Sequence, residues 1–178
     1  MGKKITIDSS NLANKILELF EAKILFNIPG KKLEILIEAT SSSHAIIKLD
    51  NALYFTIMHK PSMEIPVSNS LKIYSKKKLN FEDLKISFGK PDSKKFPIVN
   101  LGYKILREYG SDAMVFFTVI NDRLANMYLK NKIKYGDISF FLVKAFKNKT
   151  LNKYLKKNTN SLSGILKLIK IAQKLKLT

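Results

Sequence analysis

Hydroxyl, amide, ammonium and carboxylate groups are gathered in the segment DSSNLANKILE, residues 8–18, at the front of a run that becomes steadily apolar. If a helix begins near residue 11, one polar face collects four of these side chains: Asn11, Asn14, Lys15 and Glu18. Ser9 and Ser10 then lie at the N-terminus of that helix, where free backbone N–H groups and the helix dipole favour an anion. Such donors suit a phosphate monoester, and the Glu18 carboxylate suits Mg²⁺ or Mn²⁺.

The same spacing also fits an ordinary solvent-exposed helix face. A serine can serve as the N-cap, and Lys15 and Glu18 can form an i,i+3 ion pair with no further role. From spacing alone this structural interpretation is the commoner one, so the cluster by itself gives only a candidate anion and metal site.

Charge and composition narrow the classes of partner. The chain has 178 residues, 46% of them hydrophobic, and a net charge of +18 from 32 lysines and arginines against 14 acids. Only two basic residues, Arg107 and Arg123, are arginine, the side chain favoured for phosphate and base-edge recognition. The lysines are scattered, so we expect a solvated surface and no nucleic-acid partner. The absence of cysteine excludes disulfides and thiol catalysis from this chain; it leaves the compartment undecided, although a reducing cytoplasm fits best.

No membrane partner is expected either. No segment reaches the roughly 18 apolar residues needed to cross a bilayer. Residues 162–175 combine an apolar stripe with outward lysines, a pattern shared by membrane-surface helices and by the much commoner bundle helices.

The front half of the chain predicts a small α+β unit. Residues 3–8, KKITID, are a β-prone run, and a helix should follow over residues 11–26 until NIPG ends it. Three extended segments come next, at residues 32–38, 44–50 and 53–60, the last two joined by a turn at Asp50-Asn51. We expect them to form a small mixed sheet packed against the first helix.

The back half predicts a helical bundle. Residues 75–95 are typical of a connector with one short strand, LKISF. Helices are predicted at residues 98–108, 112–130, 137–147 and 162–175, with Asp112 and Asp137 as N-caps. The expected fold class is α+β, with residues 1–75 as part of a catalytic domain, 76–96 as a connector and 97–178 as a C-terminal helical bundle.

Four blocks of the sequence carry a resemblance to a known family. MGKKITIDSSNLANKILELFEAKILF is similar to MG-K-DSA-MMNKGLE-IEA-LF, and LEILIEATSSSHAIIKLDNA to IHPQS-IHS-V---DGS. KPSMEIPVSNSL is similar to PDMR-PI--AL, and LKISFGKPDSKKFPIVNLGY to L-F--PD---FP-L-LA. In this order and spacing the blocks resemble the 1-deoxy-D-xylulose 5-phosphate reductoisomerases, whose C-terminal bundle the remaining helices match loosely.

The resemblance implies roles for particular residues of the polar cluster. Ser9, Asn14 and Lys15 are assigned to the phosphate and hydroxyl groups of a small phosphorylated sugar, and Lys15, which lies near the metal centre, is also a catalytic candidate. Glu18 is assigned to the catalytic divalent metal, Mg²⁺ or Mn²⁺, next to the substrate.

Three further positions border the family's active site. The backbone of Gly2 falls where the family approaches the nicotinamide of NADPH. His44 occupies the second histidine of the IHPQS-IH segment, as a catalytic candidate, and Met63 is the methionine of PDM. A hydrogen-bonded core histidine and simple packing are the respective alternatives.

The sequence departs from the family pattern at several places. Glycine is replaced by Ile16, the two methionines by Leu12 and Ala13, the first histidine by Glu38, and the Asp and Arg beside the PDM methionine by Ser62 and Glu64; TVIND stands in place of NAANE. None of these changes removes a residue assigned to phosphate or metal. They predict a divergent member whose pocket periphery differs.

The resemblance also predicts what lies outside this chain. No glycine-rich dinucleotide fingerprint is present, so an NADPH-binding domain and the remaining metal carboxylates are expected to precede it. One glutamate alone cannot hold a catalytic Mg²⁺ or Mn²⁺. We therefore expect Met1 to be an internal methionine and this chain to be a C-terminal fragment without turnover.

The parent is expected to be a cytoplasmic, homodimeric reductoisomerase that uses NADPH and a divalent metal. The resemblance implies that it converts 1-deoxy-D-xylulose 5-phosphate to 2-C-methyl-D-erythritol 4-phosphate in non-mevalonate isoprenoid biosynthesis. Two alternatives stay open: a basic nucleic-acid-binding module, and a non-catalytic interaction protein that has kept the fold without the activity.

Overall fold

The structure, a computed structural model, describes residues 2–73 and 86–177. The chain divides into two compact units, one of Met1–Ile35 with Pro91–Thr178 and one of Leu36–Lys90. This grouping joins the first helices to the C-terminal helices, whereas the expected division joined them to residues 36–75. The expected connector lies partly outside the described residues, so the boundaries at 76–96 stay an expectation.

The described elements follow one another in chain order. The helices are α1 (Lys3–Ser10), α2 (Ala13–Leu25), α3 (Glu64–Ser70), α4 (Pro97–Glu108), α5 (Ser111–Leu129), α6 (Tyr135–Ala145), α7 (Lys149–Asn152) and α8 (Leu162–Lys174). The strands are β1 (Ile37–Glu38), β2 (Ser43–Lys48), β3 (Tyr54–Met58) and β4 (Phe88–Gly89), and Gly30–Lys32 form a short 3-10 helix.

The chain begins with a helix where an extended run was expected. The β-branched residues of KKITID favour a strand locally. In α1, however, Lys4 and Asp8 form an i,i+4 ion pair with 2.8 Å between Nζ and Oδ2, and Asn121 of α5 donates a hydrogen bond to Asp8. These contacts outweigh the local propensity, which is a weak preference.

A sharp break separates α1 from α2. Asn11 ends α1, and Leu12 adopts the left-handed conformation with a φ of 66°. α2 therefore begins at Ala13, later than predicted, and ends at Leu25 just before the NIPG stop signal. Its buried residues Ile16 and Phe20 lie on the apolar face that the sequence predicted.

The four predicted C-terminal helices are confirmed as α4, α5, α6 and α8, with α7 as a short helix that was not predicted. The two predicted N-caps are wrong. Gly110 precedes α5, and Asp112 in its first turn accepts hydrogen bonds from the backbone N–H and hydroxyl of Thr159. Asp137 lies inside the first turn of α6 and accepts from the Lys134 backbone N–H at 2.8 Å.

The core of the first unit is built around α5, which packs against α1, α2, α6 and α8. Its side chains Phe116, Phe117 and Ile120 are fully buried. The ring of Phe20 in α2 meets that of Phe117 edge-on, with 5.3 Å between centroids. Burial of side chains of this size stabilises a fold by about 1.5–3 kcal/mol each, so α2 is fixed on its apolar side.

The second unit contains two antiparallel strand pairs, β2 with β3 and β1 with β4. The turn at Asp50-Asn51 is confirmed, whereas the single mixed sheet is corrected because both described pairs are antiparallel. Of the strand expected at residues 32–38, only Ile37–Glu38 pair. Lys32 still belongs to the 3-10 helix, and the Ile35 N–H donates to the Tyr103 hydroxyl rather than to a strand. LKISF reaches the described residues at its end, where Phe88 opens β4, and α3 was not predicted.

The α+β fold class is confirmed, with helices predominating over the small strand pairs. None of the helices among residues 2–73 and 86–177 is both long enough and apolar enough to cross a membrane.

Candidate functional site

Three of the predicted site residues meet on the solvent side of α2. One oxygen of the Glu18 carboxylate accepts a hydrogen bond from Asn14 Nδ2 at 2.6 Å. The other oxygen forms an ion pair with Lys15 Nζ at 2.8 Å. The Lys15 and Glu18 side chains are each about half exposed, 49% and 46%. Because the opposite side of α2 is buried, the three groups face water with their relative positions set by the helix.

Ser9 and Ser10 lie at the C-terminal end of α1, and the prediction that they open the long helix is wrong. The reason is the break at Leu12, which puts the start of α2 beyond them. Within the described residues the Ser9 hydroxyl makes no hydrogen bond, so it is available to a ligand. Ser10 donates to the Ile7 carbonyl at 2.7 Å and lies 2.8 Å from the hydroxyl of Tyr135 in α6.

Asn11 also differs from its predicted place on the polar face. It is buried, at 5% exposure, and its Oδ1 accepts from the Ala13 backbone N–H at 2.9 Å. Its amide therefore satisfies one of the free N–H groups at the start of α2. The site face of α2 is thus made by Asn14, Lys15 and Glu18 without Asn11.

A buried polar pair anchors the helix that carries Ser9. Asp8 in α1 and Asn121 in α5 are almost fully buried, and Asn121 Nδ2 donates to Asp8 Oδ1 at 2.8 Å. Lys4 neutralises the other Asp8 oxygen. Burial works to lower the pKa of Lys4, but hydrogen bonding and the charges of Asp8 and Asp122 outweigh it and hold the pKa above its usual value. The sequence shows that TVIND replaces NAANE, and the structure adds that Asn121 of this segment reaches α1.

The second unit contains the candidate residues His44 and Met63. The rings of His44 and His59 stack with 3.6 Å between centroids, and His44 Nε2 lies 3.2 Å from the His59 carbonyl oxygen. Met63 immediately precedes α3 and is 75% exposed, so it does not pack in a core in this chain. The Ser62 hydroxyl accepts a hydrogen bond from the backbone N–H of Glu64, the first residue of the same helix, at 3.3 Å.

Glu38, which stands in place of a family histidine, holds a turn. Its carboxylate accepts from the backbone N–H groups of Thr40, Ser42 and Ser43 and from the Thr40 hydroxyl. The hydrogen bond from the Thr40 backbone is the largest cause of the lowered pKa of Glu38. Gly2, the predicted neighbour of the cofactor, is exposed and precedes α1, where its carbonyl accepts from Thr6.

The donor set does not complete a metal site. No group of three or more histidine, cysteine or acidic residues in the described parts of the chain could hold a metal ion. Glu18 offers one carboxylate, whose oxygens are already bound to Asn14 and Lys15. Mg²⁺ requires near-octahedral oxygen coordination, so further ligands would have to come from elsewhere.

Two family models match the chain. One, described as "DXP reductoisomerase C-terminal domain", matches residues 58–175, and another, "1-deoxy-D-xylulose 5-phosphate reductoisomerase C-terminal domain", matches residues 1–26.

Similar full-length proteins are enzymes of the same description. The 1-deoxy-D-xylulose 5-phosphate reductoisomerase of Pelagibacter ubique is 40% identical over 86% of this chain and 41% of that protein. The one from Ehrlichia canis is 35% identical over 98% of this chain and 46% of that protein. The chain therefore spans less than half the length of these relatives.

Solved structures are similar over nearly the whole chain. A reductoisomerase from Zymomonas mobilis in complex with NADPH has a TM-score of 0.82 at 27% identity, over 96% of this chain and 45% of that one. A DOX-P reductoisomerase in complex with NADPH, fosmidomycin and magnesium has a TM-score of 0.85 at 26% identity, over 98% of this chain and 45% of that one.

Proposed function

The chain belongs to the 1-deoxy-D-xylulose 5-phosphate reductoisomerase family, and from this premise we propose that it supplies one part of that enzyme's active site. The complete enzyme would convert 1-deoxy-D-xylulose 5-phosphate to 2-C-methyl-D-erythritol 4-phosphate in isoprenoid biosynthesis. The observation that carries the proposal is the grouping of Asn14, Lys15 and Glu18 on the open face of α2, within a region that matches the family model at residues 1–26.

In this proposal Ser9, Asn14 and Lys15 anchor the substrate's phosphate and hydroxyl groups. The free hydroxyl of Ser9 and the exposed ammonium of Lys15 are suitable donors, because hydrogen bonds to a charged phosphate are about twice as strong as neutral ones. Glu18 holds the amide of Asn14 and the ammonium of Lys15 in place. Anchoring a remote phosphate orients the reacting end of a substrate and contributes to rate as well as affinity.

The cofactors of the complete enzyme are proposed to be NADPH and Mg²⁺ or Mn²⁺. Support comes from the similar structures described as complexes with NADPH and with magnesium. Glu18 would contribute one oxygen ligand to the metal, which when bound polarises substrate oxygens. Gly2 is proposed to lie near the nicotinamide, and His44 to be a catalytic candidate. The described residues lack the other ligands that the metal needs.

We further propose that the complete enzyme is a cytoplasmic homodimer whose partner molecule is a small phosphorylated sugar. The fosmidomycin complex of a similar structure supports a small-molecule site in the family. A chain without cysteine forms no disulfide and is therefore compatible with a reducing cytoplasm.

The test is an NADPH oxidation assay with 1-deoxy-D-xylulose 5-phosphate and Mn²⁺. We expect turnover by the complete enzyme that contains this sequence and none by the purified 178-residue chain. Turnover by the chain alone would show that it holds a complete site. A complete protein that neither oxidises NADPH nor binds the substrate would overturn the proposed function.

A further inference from the structure

The hydroxyl of Tyr135, at the first residue of α6, contacts the last residue of α1. Tyr135 Oη lies 2.8 Å from Ser10 Oγ, across 125 positions of the sequence. Ser10 Oγ itself donates to the Ile7 carbonyl at 2.7 Å. Since a hydroxyl has one proton, the phenol is the donor in the contact between the two side chains. The family segment quoted above has alanine at the place of Ser10, so this contact goes beyond the family pattern.

The contact lies beside the junction between α1 and α2, whose backbone conformation is strained. Leu12 is in the left-handed conformation, which costs a residue with a Cβ roughly 1–2 kcal/mol. Such a conformation persists only where the surroundings fix it. The break at Leu12 determines how Ser9, before it, is placed relative to Asn14 and Lys15, after it.

Three tethers hold this junction from three directions. The Asn11 side chain fixes the first turn of α2, and the buried contact between Asp8 and Asn121 fixes α1 to α5. The contact from Tyr135 joins Ser10, the last residue of α1, to α6 on the exposed side, and Ser9 is the residue before Ser10 in the same turn.

We propose that Tyr135, acting through Ser10, is a positioning residue for the phosphate-binding end of the active site. Its hydroxyl sets the rotation of the last turn of α1 and so directs the Ser9 hydroxyl toward the same ligand as Asn14 and Lys15. The inference rests on the proposed function, because it assigns the phosphate of the substrate to these donors. Tyr135 does not itself touch the reacting atoms, and its effect is on substrate affinity.

The test is Tyr135→Phe in the complete enzyme, which removes the hydroxyl and keeps the ring. A neutral hydrogen bond contributes about 0.5–1.5 kcal/mol, so KM for the sugar phosphate should rise about 2- to 12-fold. KM for NADPH should not change, and inorganic phosphate should bind more weakly by a similar factor in calorimetry. Ser10→Ala should have the same effect, and the double variant should be no worse than either single variant.

Tyr128→Phe is the matched control. Tyr128 contacts the ring of Tyr135 with 5.8 Å between centroids, but its hydroxyl makes no hydrogen bond among the described residues. We expect this variant to behave like the native enzyme. An unchanged KM for the sugar phosphate in Tyr135→Phe would overturn the inference, whether or not kcat falls.

The failure of the proposed function would look different. In that case the native protein has no reductoisomerase turnover, and phosphate calorimetry decides the inference. Weaker phosphate binding by both Tyr135→Phe and Ser10→Ala, but not by Tyr128→Phe, would then support the positioning role, and equal binding by all variants would overturn it.

Discussion

Glu18 is the residue on which the candidate site depends most. Its carboxylate holds Asn14 and Lys15, yet the ion pair is half exposed and contributes less than about 1 kcal/mol to stability. A substrate or metal can therefore separate Asn14 and Lys15 from the Glu18 carboxylate at a small cost in free energy. The arrangement therefore fits a site that is organised before the ligand arrives.

Replacing Glu18 tests the proposed metal-ligand role separately from the contribution of its ion pair to stability. Glu18→Gln in the complete enzyme should lower kcat/KM about 100-fold or more, because even indirect partners of a metal site cost 10–100-fold when lost. The half-saturating Mn²⁺ concentration should rise, while the melting temperature should hardly change. Glu21→Gln, an exposed change on the same helix, is the control. Equal loss of activity in both variants would argue against a metal-ligand role for Glu18.

At the residue scale, the sequence predicted the site face of α2 better than the residues before it. Asn14, Lys15 and Glu18 follow the helical period, so their meeting required only that α2 be a helix. The placement of Ser9, Ser10 and Asn11 depended on the break at Leu12. That residue carries no local turn signal, since glycine and asparagine are the usual left-handed residues.

Glu38 gives a pH-dependent turn in the second unit. The hydrogen bond from the Thr40 backbone, and then those from the Thr40 hydroxyl, Ser43 and Ser42, hold the pKa of Glu38 below its ordinary value of 4.5. A lowered pKa means that the turn is stabilised above pH 4.5 and loses that contribution as pH falls through the folded pKa.

This dependence can be followed by NMR. The Glu38 carboxyl should titrate with a midpoint below 4.5, and the amide signals of Thr40 and Ser43 should shift with the same midpoint. In Glu38→Gln the two amides should lose that acid transition. A midpoint at or above the ordinary value would contradict the hydrogen-bond network around this carboxylate.

Helices α2 and α4 pack closely because the large side chain of Ile16 in α2 lies against Gly102 in α4, which has no side chain. Ile16 is fully buried, and a Cβ added at Gly102 would lie 2.8 Å from two of its side-chain carbons. Ile16 stands where the family pattern has glycine, so space for it must come from the facing helix. Gly102 supplies that space.

Gly102→Ala should therefore destabilise the fold, although alanine is the better helix former. Overpacking of this kind costs about 1–3 kcal/mol, measured as a lower free energy of unfolding in urea. Ile16→Val in the same chain should recover part of the loss. Gly136→Ala in α6, where an added Cβ meets nothing within 4 Å, should be neutral or stabilising. A Gly102→Ala chain as stable as the native one would show that the two helices can separate freely.

Among the helices, those with a long apolar period could be predicted from the sequence, whereas the short ones could not. α4, α5, α6 and α8 follow apolar periods of several turns, and all were predicted. α1 is a single short helix of β-branched residues, and its contacts with Asn121 lie 113 positions away. Such pairings cannot be found from local patterns, and neither can the contact between Ser10 and Tyr135.

In the molecule as a whole, the two arginines bind groups of the chain itself, whereas most of the positive charge is carried by lysines. Arg123, whose pKa is lowered by burial, donates to the carbonyl oxygens of Ala172 and Leu175 at the end of α8. The guanidinium of Arg107 lies 4.7 Å from the centre of the Tyr103 ring. Arg123 thus stabilises the end of α8, and Arg107 packs on an aromatic ring. Lysine is therefore the main cation that faces solvent.

The hairpin of β2 and β3 exposes apolar side chains. Tyr54, Phe55 and Ile57 are each more than half exposed. A two-stranded hairpin is only marginally stable in water, and an exposed apolar strand is a template for association. The relatives are more than twice as long as the matched region, so in a complete enzyme other parts of the protein are available to cover such strands.

The isolated 178-residue chain should therefore self-associate in sedimentation velocity experiments at micromolar concentration. Added salt should strengthen the association, because it screens the repulsion between chains of net charge +18. Phe55 and Ile57 share one face of β3, so replacing both with lysine should shift the chain toward the monomer. Replacing Leu162 with lysine on α8, where the side chain is 74% exposed, should have a much smaller effect. A native chain that stays monomeric in high salt, or equal dissociation by both changes, would show that the hairpin is not the associating surface.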